Sequence, residues 1–266
     1  MMLYHAKEGK LHIGDLRMDY ITFGSGERPL VLIQGLNTRG IKGMALPLAY
    51  MYRMFAREYT VYLFDRREDL PQEITVQALA SDIATAMDYL AIRQADVIGV
   101  SQGGMMAQYL AIERPDLVHK LVLAVTASRT NAILEPVIQR WIALIEQGDM
   151  KPLVTDMAEK LYSEPYLQRY RPFLPLLTMV QKPKDTNRFI ALAKACLTCD
   201  TYNLLEQIHC PVLVLGGRQD KIVGIQASEE LAAKLGCDSY IYEQFGHGVY
   251  EEAKDFNKRM YDFLRR

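Results

Sequence analysis

The sequence predicts an α/β protein with a doubly wound, mostly parallel central sheet. Short, continuous apolar runs recur along the chain, and such runs are typical of strands that are covered on both faces of a parallel sheet. Helical patterns separate the runs, and this alternation implies right-handed crossovers. The 266 residues, 50% of them hydrophobic and 24% charged, fit one large domain or one domain with an insertion.

The first strands are expected between residues 11 and 26, where "LHIGDLRMDYITFGSG" ends in a Gly-Ser-Gly turn. No helical pattern interrupts this stretch, so it predicts one or two leading strands in an antiparallel arrangement. Six apolar runs predict the strands that follow, at residues 29–35, 60–65, 95–101, 120–126, 210–217 and 239–245.

The clearest helix is predicted from residue 76 to residue 90. Apolar residues recur there at the i, i+3, i+4, i+7 spacing of one buried helix face, at Val76, Leu79, Ala80, Ile83, Met87 and Leu90. Thr75 precedes them and is a suitable N-cap, because its hydroxyl can accept a hydrogen bond from the first turn.

Residues 128–207 interrupt the alternation, because they contain helical patterns and no convincing strand. A stretch of about 80 residues is too long for an unstructured loop. We therefore expect an α/β core formed by residues 1–127 and 208–266. Residues 128–207 are expected to form a helical cap, inserted over the C-terminal edge of the sheet.

A serine stands where the third of the six apolar runs meets a helical pattern, in "VIGVSQGGMMAQYL" (97–110), and the motif G-x-S-x-G is formed by residues 99–103. A sharp strand-to-helix turn forces Ser101 towards positive φ, and crowding requires small residues two positions before and after it. The turn raises the hydroxyl and presents the N–H groups of a helix N-terminus to developing negative charge. A phosphate-binding turn is the alternative, but Ser101 stands where the dinucleotide fingerprint has its second glycine.

A nucleophilic serine needs a base, and histidine is the usual choice. Of the five histidines, only His247 follows the C-terminal end of a predicted strand. A glycine on each side, in "FGHGVYEE", leaves its ring room to reach inward. His119 and His209 come just before strands, at the opposite edge, where structural roles are expected.

The base in turn needs a carboxylate that orients it. Asp220 follows the apolar run at 210–217 and so reaches the same edge of the sheet as Ser101. Glu251 and Glu252 are near the histidine in sequence, but we expect them to begin the last helix and to favour its dipole.

With nucleophile, acid and base in the order Ser101, Asp220, His247, the sequence resembles the α/β-hydrolase-fold superfamily, in particular its capped serine hydrolases. The resemblance runs from about residue 17 to the C-terminus, and four segments carry it: "DYITFGSGERPLVLIQG", "GVSQGGMMAQYLAIERPDLVHKLVLA", "CPVLVLGGRQDKIV" and "FGHGVYEE". It implies Ser101 as nucleophile, His247 as base and Asp220 as the orienting acid. It also implies an oxyanion hole formed by the backbone N–H groups of Leu36 and Gln102.

Two segments depart from the family pattern. Gln34-Gly35 replaces the His-Gly of many relatives, which keeps the main-chain donor and alters how its loop is braced. The loop "FDRREDLP" keeps Asp65 but has charged residues where relatives have glycines, and this loop borders the pocket in relatives. Asn37 either lends its amide to the site or caps a turn.

The serine and the resemblance together predict hydrolysis of a small, apolar carboxylic ester, lactone or thioester. Relatives that act on haloalkanes or epoxides use an aspartate nucleophile, so Ser101 disfavours those reactions. The substrate pocket is expected to include Asn37, Met105 and Trp141. Further apolar residues of the predicted cap contribute either to the pocket or to the cap's own core: Leu144, Met157, Leu161 and Met179.

Two other functions stay open. A C–C bond hydrolase of a keto-acid needs polar groups for the acid, and Arg39, Arg66 or Arg129 could supply them. A ligand-binding protein could keep the fold without turnover, although the complete set of nucleophile, base and acid argues against it.

Composition disfavours other classes of partner. The 31 basic residues balance 32 acidic ones, so nucleic acid binding is not expected. No apolar run reaches the roughly 18 residues of a membrane span, and the start lacks a signal-peptide core. We therefore expect a cytoplasmic protein that binds no membrane. Its expected partner is a small-molecule substrate, and we expect a monomer or a homodimer. Cys196 and Cys199 form one C-x-x-C, too few ligands for a metal site, and are expected to pack on one helix face. No cofactor or metal ion is expected.

Overall fold

The computed structural model describes residues 3–170 and 183–266. Within these residues, eight strands form one sheet. The strands are β1 (Lys7–Ile13), β2 (Leu16–Phe23), β3 (Arg28–Ile33), β4 (Tyr59–Phe64), β5 (Ala95–Val100), β6 (Val118–Ala124), β7 (Val212–Gly217) and β8 (Asp238–Tyr242).

Across the sheet the strands follow the order β1-β2-β4-β3-β5-β6-β7-β8. β2 pairs in antiparallel fashion with β1 and β4, and every other neighbouring pair is parallel. The predicted doubly wound, mostly parallel sheet is confirmed, with two antiparallel leading strands. The last strand ends earlier than expected, at Tyr242, where the Phe245 N–H donates to the Tyr242 carbonyl and turns the chain.

The described α-helices are α1 (Ala45–Met51), α2 (Val76–Tyr89), α3 (Gln102–Glu113), α4 (Leu134–Glu146), α5 (Met150–Leu161), α6 (Glu164–Tyr170), α7 (Thr186–Cys196), α8 (Ile225–Leu235), α9 (Val249–Glu252) and α10 (Phe256–Arg265). The prediction that Thr75 is the N-cap of α2 is confirmed, because its side chain accepts a hydrogen bond from the Ala78 N–H. The expectation that Glu251 and Glu252 begin the last helix is wrong. They end the short α9, because Ala253 is extended and interrupts the helix before α10.

The sheet separates two hydrophobic layers, and its inner strands contribute side chains to both. In β3, Val31 and Ile33 pack with α2 and α3, whereas Leu30 and Leu32 pack in the layer that contains α1 and α10. Successive residues of a strand point to opposite faces. A strand that is buried on both faces therefore has few polar positions, which explains the continuous apolar runs in the sequence.

Along the sequence, the helices α4 to α7 come after β6 and before β7. An isolated antiparallel bridge between Arg129 and Asp200 brings the two ends of this stretch together. The division into a core of residues 1–127 and 208–266 and a cap of residues 128–207 stays a prediction. Met179, which was considered for the pocket, lies outside the described residues.

Cys196 and Cys199 do not share a helix face, because Cys196 is the last residue of α7 and Cys199 lies beyond its end. Both are buried as free thiols. Across residues 3–170 and 183–266, no cluster of three or more His, Cys, Asp or Glu is suited to hold a metal ion. None of the described helices has the length and apolar character that crossing a membrane requires.

Candidate active site

Ser101 lies where the buried strand β5 passes directly into α3. Its backbone has φ 54° and ψ −122°, which is the strained, positive-φ conformation that the motif predicted. Because α3 begins at Gln102, the first N–H groups of the helix have no acceptor within it. They place partial positive charge beside the serine.

The glycines of the motif allow the close approaches on which this turn depends. A Cβ added to Gly99 would lie 2.5 Å from the Gly103 carbonyl oxygen, so these two residues crowd each other as predicted. A Cβ on Gly103 would lie 2.0 Å from the Ile33 carbonyl oxygen. Gly103 therefore also lets the start of α3 pack against the end of β3.

Two hydrogen bonds connect Ser101, His247 and Asp220. His247 Nε2 lies 2.9 Å from Ser101 Oγ, and His247 Nδ1 lies 2.8 Å from Asp220 Oδ2. His247 and Asp220 are buried, with 3% and 7% of their surfaces exposed. Parallel strands that end at one edge bring these side chains together, although Ser101 and His247 are 146 positions apart in sequence.

Asp220 is held as a carboxylate. Its Oδ1 accepts hydrogen bonds from the N–H groups of Ile222 and Val223, at 2.8 and 3.0 Å. Burial on its own raises the pKa of a carboxyl group, but His247 and these two N–H groups outweigh that effect and keep the pKa of Asp220 below its usual value. The carboxylate can accept only, so His247 carries its proton on Nδ1 and its Nε2 is free to accept one.

The glycines beside His247 admit two neighbouring carbonyl groups. A Cβ on Gly246 would lie 2.9 Å from the Gln219 carbonyl oxygen, and one on Gly248 would lie 2.7 Å from the Leu161 carbonyl oxygen. The Gly248 N–H donates to that Leu161 carbonyl over 2.6 Å. Since Leu161 ends α5, the helical stretch contacts the loop that carries His247.

Glu251 and Glu252 extend this contact. The Tyr162 hydroxyl donates to Glu251 Oε2 over 2.8 Å, and the Ser163 N–H donates to Glu252 Oε1 over 3.0 Å. The two carboxylates thus hold the junction of α5 and α6 against the segment after His247.

The main-chain N–H groups of Leu36 and Gln102 are both available near Ser101. Gly35 packs so closely on the serine that an added Cβ would lie 3.1 Å from Ser101 Cβ, and Leu36 lines the same cavity as Ser101. No described group accepts a hydrogen bond from either N–H. Their role as the donors of an oxyanion hole stays a prediction.

Arg66 is buried beside this loop, with 2% of its surface exposed. Its Nη2 donates to the Gln34 carbonyl over 2.5 Å and to Gln102 Oε1 over 3.2 Å, and the Gly35 carbonyl lies 3.5 Å away. Burial lowers the pKa of Arg66 to about 10, which leaves the guanidinium charged at neutral pH. This side chain braces the segment in which Gln34 replaces the usual histidine.

The second departure, the loop that begins at Asp65, is anchored to α7. Arg188 Nη1 donates to the Arg67 carbonyl over 2.6 Å, and its Nη2 donates to the Arg66 carbonyl over 3.1 Å. The same guanidinium lies 3.5 Å from Asp65 Oδ1. Arginine contacts to main-chain carbonyl groups therefore hold a loop in which relatives have glycines.

A cavity of about 90 Å³ adjoins Ser101 and His247. Its other described lining residues are Gly35, Leu36, Met105, Leu134, Ile138, Trp141, Met157, Leu161, Cys196, Ile222 and Tyr250. None of these is a lysine, arginine, aspartate or glutamate. The lining suits an uncharged, mainly apolar group.

Of the residues considered for the pocket that the structure describes, four lie in this lining and two do not. Asn37 is absent from it. Leu144 packs in the hydrophobic core.

The arginines considered for a keto-acid are also absent from the lining. Arg129 forms an ion pair with Glu230 and lies over the ring of Tyr202. Arg66 contacts the loop and Gln102, as described above, and Arg39 does not line the cavity.

Cys196, Ile222 and Tyr250 line the cavity although the sequence did not indicate them. Ile222 and Tyr250 come two and three residues after Asp220 and His247, so this proximity in sequence could have predicted their place in the cavity wall. Cys196 lies in a helix with an ordinary packing pattern and carried no such signal. Burial raises the pKa of Cys196 to about 11 and the pKa of Tyr250 well above its usual value, so both keep their protons at neutral pH.

Comparison with known proteins agrees with this architecture. The family model described as alpha/beta hydrolase fold matches residues 28–254, a span that includes Ser101, Asp220 and His247.

Three similar proteins illustrate the range of the family. The chain is 24% identical over 243 residues to 3-oxoadipate enol-lactonase 2 of Acinetobacter baylyi, covering 88% of this chain and 87% of that protein. In an alignment of 276 residues it is 25% identical to the 2-hydroxy-6-oxononadienedioate/2-hydroxy-6-oxononatrienedioate hydrolase 2 of Pseudomonas putida. That alignment covers 97% of this chain and 94% of that protein. The crystal structure of MGS-M2, an alpha/beta hydrolase enzyme from a Medee basin deep-sea metagenome library, superposes on this structure with a TM-score of 0.88 at 17% sequence identity. The superposition covers 97% of this chain and 98% of that chain.

Proposed function

The chain belongs to the α/β-hydrolase fold family, and from this premise we propose that it is a serine hydrolase of small, mainly apolar carboxylic esters and lactones. One observation carries the proposal. Hydrogen bonds run from Ser101 through His247 to Asp220, and so connect a hydroxyl in the wall of an apolar cavity to a buried carboxylate. Nucleophilic acyl transfer requires this arrangement.

In the first half of the proposed reaction, Ser101 Oγ attacks the carbonyl carbon while His247 Nε2 takes the hydroxyl proton. The carbonyl oxygen becomes an oxyanion, which accepts hydrogen bonds from the N–H groups of Leu36 and Gln102. Asp220 stabilises the imidazolium. His247 then gives the proton to the leaving alkoxide, and an acyl group remains on Ser101.

In the second half, His247 takes a proton from water, and the resulting hydroxide attacks the acyl carbon. The second tetrahedral intermediate collapses, the proton returns to Ser101 Oγ, and the carboxylic acid is released. With a lactone, the alkoxide stays joined to the acyl group, so the product is a hydroxy acid.

The size of the cavity supports short acyl groups. A volume of about 90 Å³ leaves little room beside Ser101 for a long acyl chain. A lactone substrate finds further support in the similarity to the enol-lactonase of Acinetobacter baylyi.

C–C bond hydrolysis of a keto-acid has weaker support. The similar protein of Pseudomonas putida carries the name of a dienedioate hydrolase. A dicarboxylate needs a cation in the site, and the described lining of the cavity contains no lysine or arginine.

The test combines active-site labelling with a substrate panel. We expect a fluorophosphonate probe to label the folded protein at Ser101, and the Ser101→Ala variant to remain unlabelled. We expect p-nitrophenyl butyrate to be hydrolysed with a higher kcat/KM than the decanoate ester. A folded protein that fails to react with the probe would point to a binding protein without turnover. Faster cleavage of a keto-acid C–C substrate than of any ester would point to the C–C reaction.

A further inference from the structure

We propose that Arg66 is a positioning residue that orients and polarises the oxyanion hole from the side remote from the substrate. The inference rests on the proposed serine hydrolase function and names a residue on which that function depends. It is carried by the contacts of Arg66 and by the only partial neutralisation of its charge.

Across the described parts of the chain, all hydrogen bonds of the Arg66 side chain go to the two segments that would supply the oxyanion donors. Nη2 donates to the Gln34 carbonyl and lies 3.5 Å from the Gly35 carbonyl. The same nitrogen donates to Oε1 of Gln102 over 3.2 Å. Arg66 Nη2 thus connects the main chain just before Leu36 to the side chain of Gln102, the residue that follows Ser101.

The Gly35 carbonyl and the Leu36 N–H belong to the same peptide group, and in a trans peptide they point in opposite directions. A cation on the carbonyl side therefore directs the N–H away from itself. It also increases the positive charge on that N–H, because hydrogen-bonded groups polarise one another. The Leu36 N–H is in this way fixed as a donor before the substrate arrives.

No carboxylate of the described residues accepts a hydrogen bond from the Arg66 side chain, and only that of the neighbouring Asp65 attracts its charge and raises its pKa. Asp65 is next to it in sequence, but its carboxylate pairs with Arg188 and accepts the main-chain N–H groups of Ile41 and Arg66. Arg66 Nε and Nη1 are buried and have no partner among the described residues. A buried cation that shares its one nearby carboxylate with Arg188 is only partly neutralised, which is unfavourable in the free enzyme.

The reaction supplies the missing negative charge. The ester carbonyl is neutral when the substrate binds, and its oxygen becomes an anion as Ser101 attacks. The attraction of Arg66 is therefore stronger in the transition state than in the ground state, and such an interaction raises kcat while leaving KM nearly unchanged.

The experiment compares Arg66→Met with Arg67→Met, using p-nitrophenyl butyrate and an alkylboronic acid that forms a tetrahedral, anionic adduct with serine. Removing a direct oxyanion donor lowers kcat by about 10²–10³. A residue that acts through the donors should have a smaller effect, so we expect Arg66→Met to lower kcat by about tenfold to a hundredfold. We expect the affinity for the boronic acid to fall by a similar factor, with KM changed by less than about threefold.

Arg67→Met is the matched control. Arg67 is the adjacent arginine, and it pairs with the buried Asp82, with its Nε 2.7 Å from Asp82 Oδ2. Its loss should lower the midpoint of thermal unfolding and leave kcat and boronic acid affinity within about twofold of the wild type. A structural role for Arg66 would instead make the two variants alike.

If Arg66→Met does not fold, Arg66→Lys decides the question. Lysine keeps the charge but cannot reproduce the geometry of the guanidinium, so we expect kcat and boronic acid affinity to fall together by about threefold to tenfold. Values within about twofold of the wild type would overturn the inference, as would a loss confined to KM. If Ser101→Ala keeps full activity, the proposed function fails as well; if it abolishes activity while Arg66→Met does not change kcat, only the role of Arg66 is refuted.

Discussion

Asp220 shows how a single residue sets the chemistry of the candidate site. Its Oδ1 is occupied by the N–H groups of Ile222 and Val223, so only Oδ2 faces His247. The orientation of the carboxylate is fixed before any substrate binds. The tautomer of His247 depends on that orientation.

The first prediction concerns Asp220→Asn. The amide oxygen should keep the hydrogen bonds from Ile222 and Val223, which turns the NH₂ group towards His247 Nδ1 and selects the tautomer with the proton on Nε2. That tautomer cannot accept the Ser101 proton, so we expect kcat to fall by about 10⁴-fold in steady-state ester hydrolysis.

The control is thermal unfolding of the same variant, whose midpoint should stay within a few degrees of the wild type. A kcat within tenfold of the wild type would mean that Asp220 does not orient the base.

At the scale of elements, Asp156 of α5 connects its helix to α4. Its Oδ2 accepts from Trp141 Nε1, and its Oδ1 accepts from Arg140 Nε and Lys160 Nζ, all at 2.8 Å. These contacts hold the Trp141 ring, which lines the cavity. Burial on its own raises the pKa of Asp156, but the three donors outweigh it and keep that pKa below its usual value.

The second prediction follows for Asp156→Asn. Hydrogen bonds to a charged group contribute about 1.5–3 kcal/mol, so we expect the free energy of unfolding at pH 7 to fall by about that amount. Because the folded-state pKa is lowered, this stabilisation is fully present above the unfolded-state pKa of about 3.9 and is lost as the pH falls through the folded-state value.

Urea denaturation at pH 7 and at pH 3.5 measures the difference, which should shrink at the lower pH. Asp149→Asn is the control, because Asp149 is exposed and its side chain does not cap α5. Equal effects of the two substitutions would contradict the prediction.

The junction of β5 and α3 is the second element on which the site depends. The third prediction is that Gly103→Ala lowers the free energy of unfolding by about 3 kcal/mol, because the new Cβ would overlap the Ile33 carbonyl oxygen.

Gly43→Ala is the comparison for this prediction. Gly43 has φ +82° and nothing within 4 Å of an added Cβ, so only backbone strain of about 1–2 kcal/mol is expected there. Urea denaturation measures both variants, and a smaller loss for Gly103→Ala than for Gly43→Ala would contradict the proposed crowding.

At the scale of the whole molecule, the cavity is shared between the sheet and the helical stretch. Ser101 and Met105 come from the β5–α3 junction, whereas Trp141 comes from α4 and Leu161 from α5. The Leu161 carbonyl also accepts from the Gly248 N–H beside His247. We therefore expect substrate size to depend on the residues that the helical stretch contributes to the cavity wall.

The fourth prediction tests this division. Trp141→Ala removes a large side chain from the cavity wall, so we expect the preferred acyl chain in a p-nitrophenyl ester panel to lengthen by several carbons. Leu144→Ala is the control, because Leu144 is a buried neighbour on α4 that does not line the cavity.

Both variants should lose stability, by about 2–5 kcal/mol as is usual for large-to-small core changes. Only the tryptophan variant should change the chain-length preference, and a parallel change in both would place the selectivity elsewhere.

Local features of the chain were predictable because their causes are local. Thr75 was identified as a cap and Ser101 as a strained turn residue, since a hydroxyl before a helix and a serine between glycines determine the nearby backbone. The strands were predictable from burial on both faces. Asp220 and His247 were identified from their positions after strands, because parallel strands end at one edge.

Other parts of the site depend on packing between segments that are far apart in sequence. The sequence has no periodic or motif signal for the contact of Arg66 with Gln34 and Gln102, for the place of Cys196 in the cavity wall, or for the absence of Asn37 from that wall. Neighbouring residues and strand ends are enough to predict the mostly parallel sheet, the succession of strands and helices along the chain, and the position of the serine. The order of the strands across the sheet and the shape and charge of the cavity depend on the packing of many separate elements, so they are known from the tertiary structure alone.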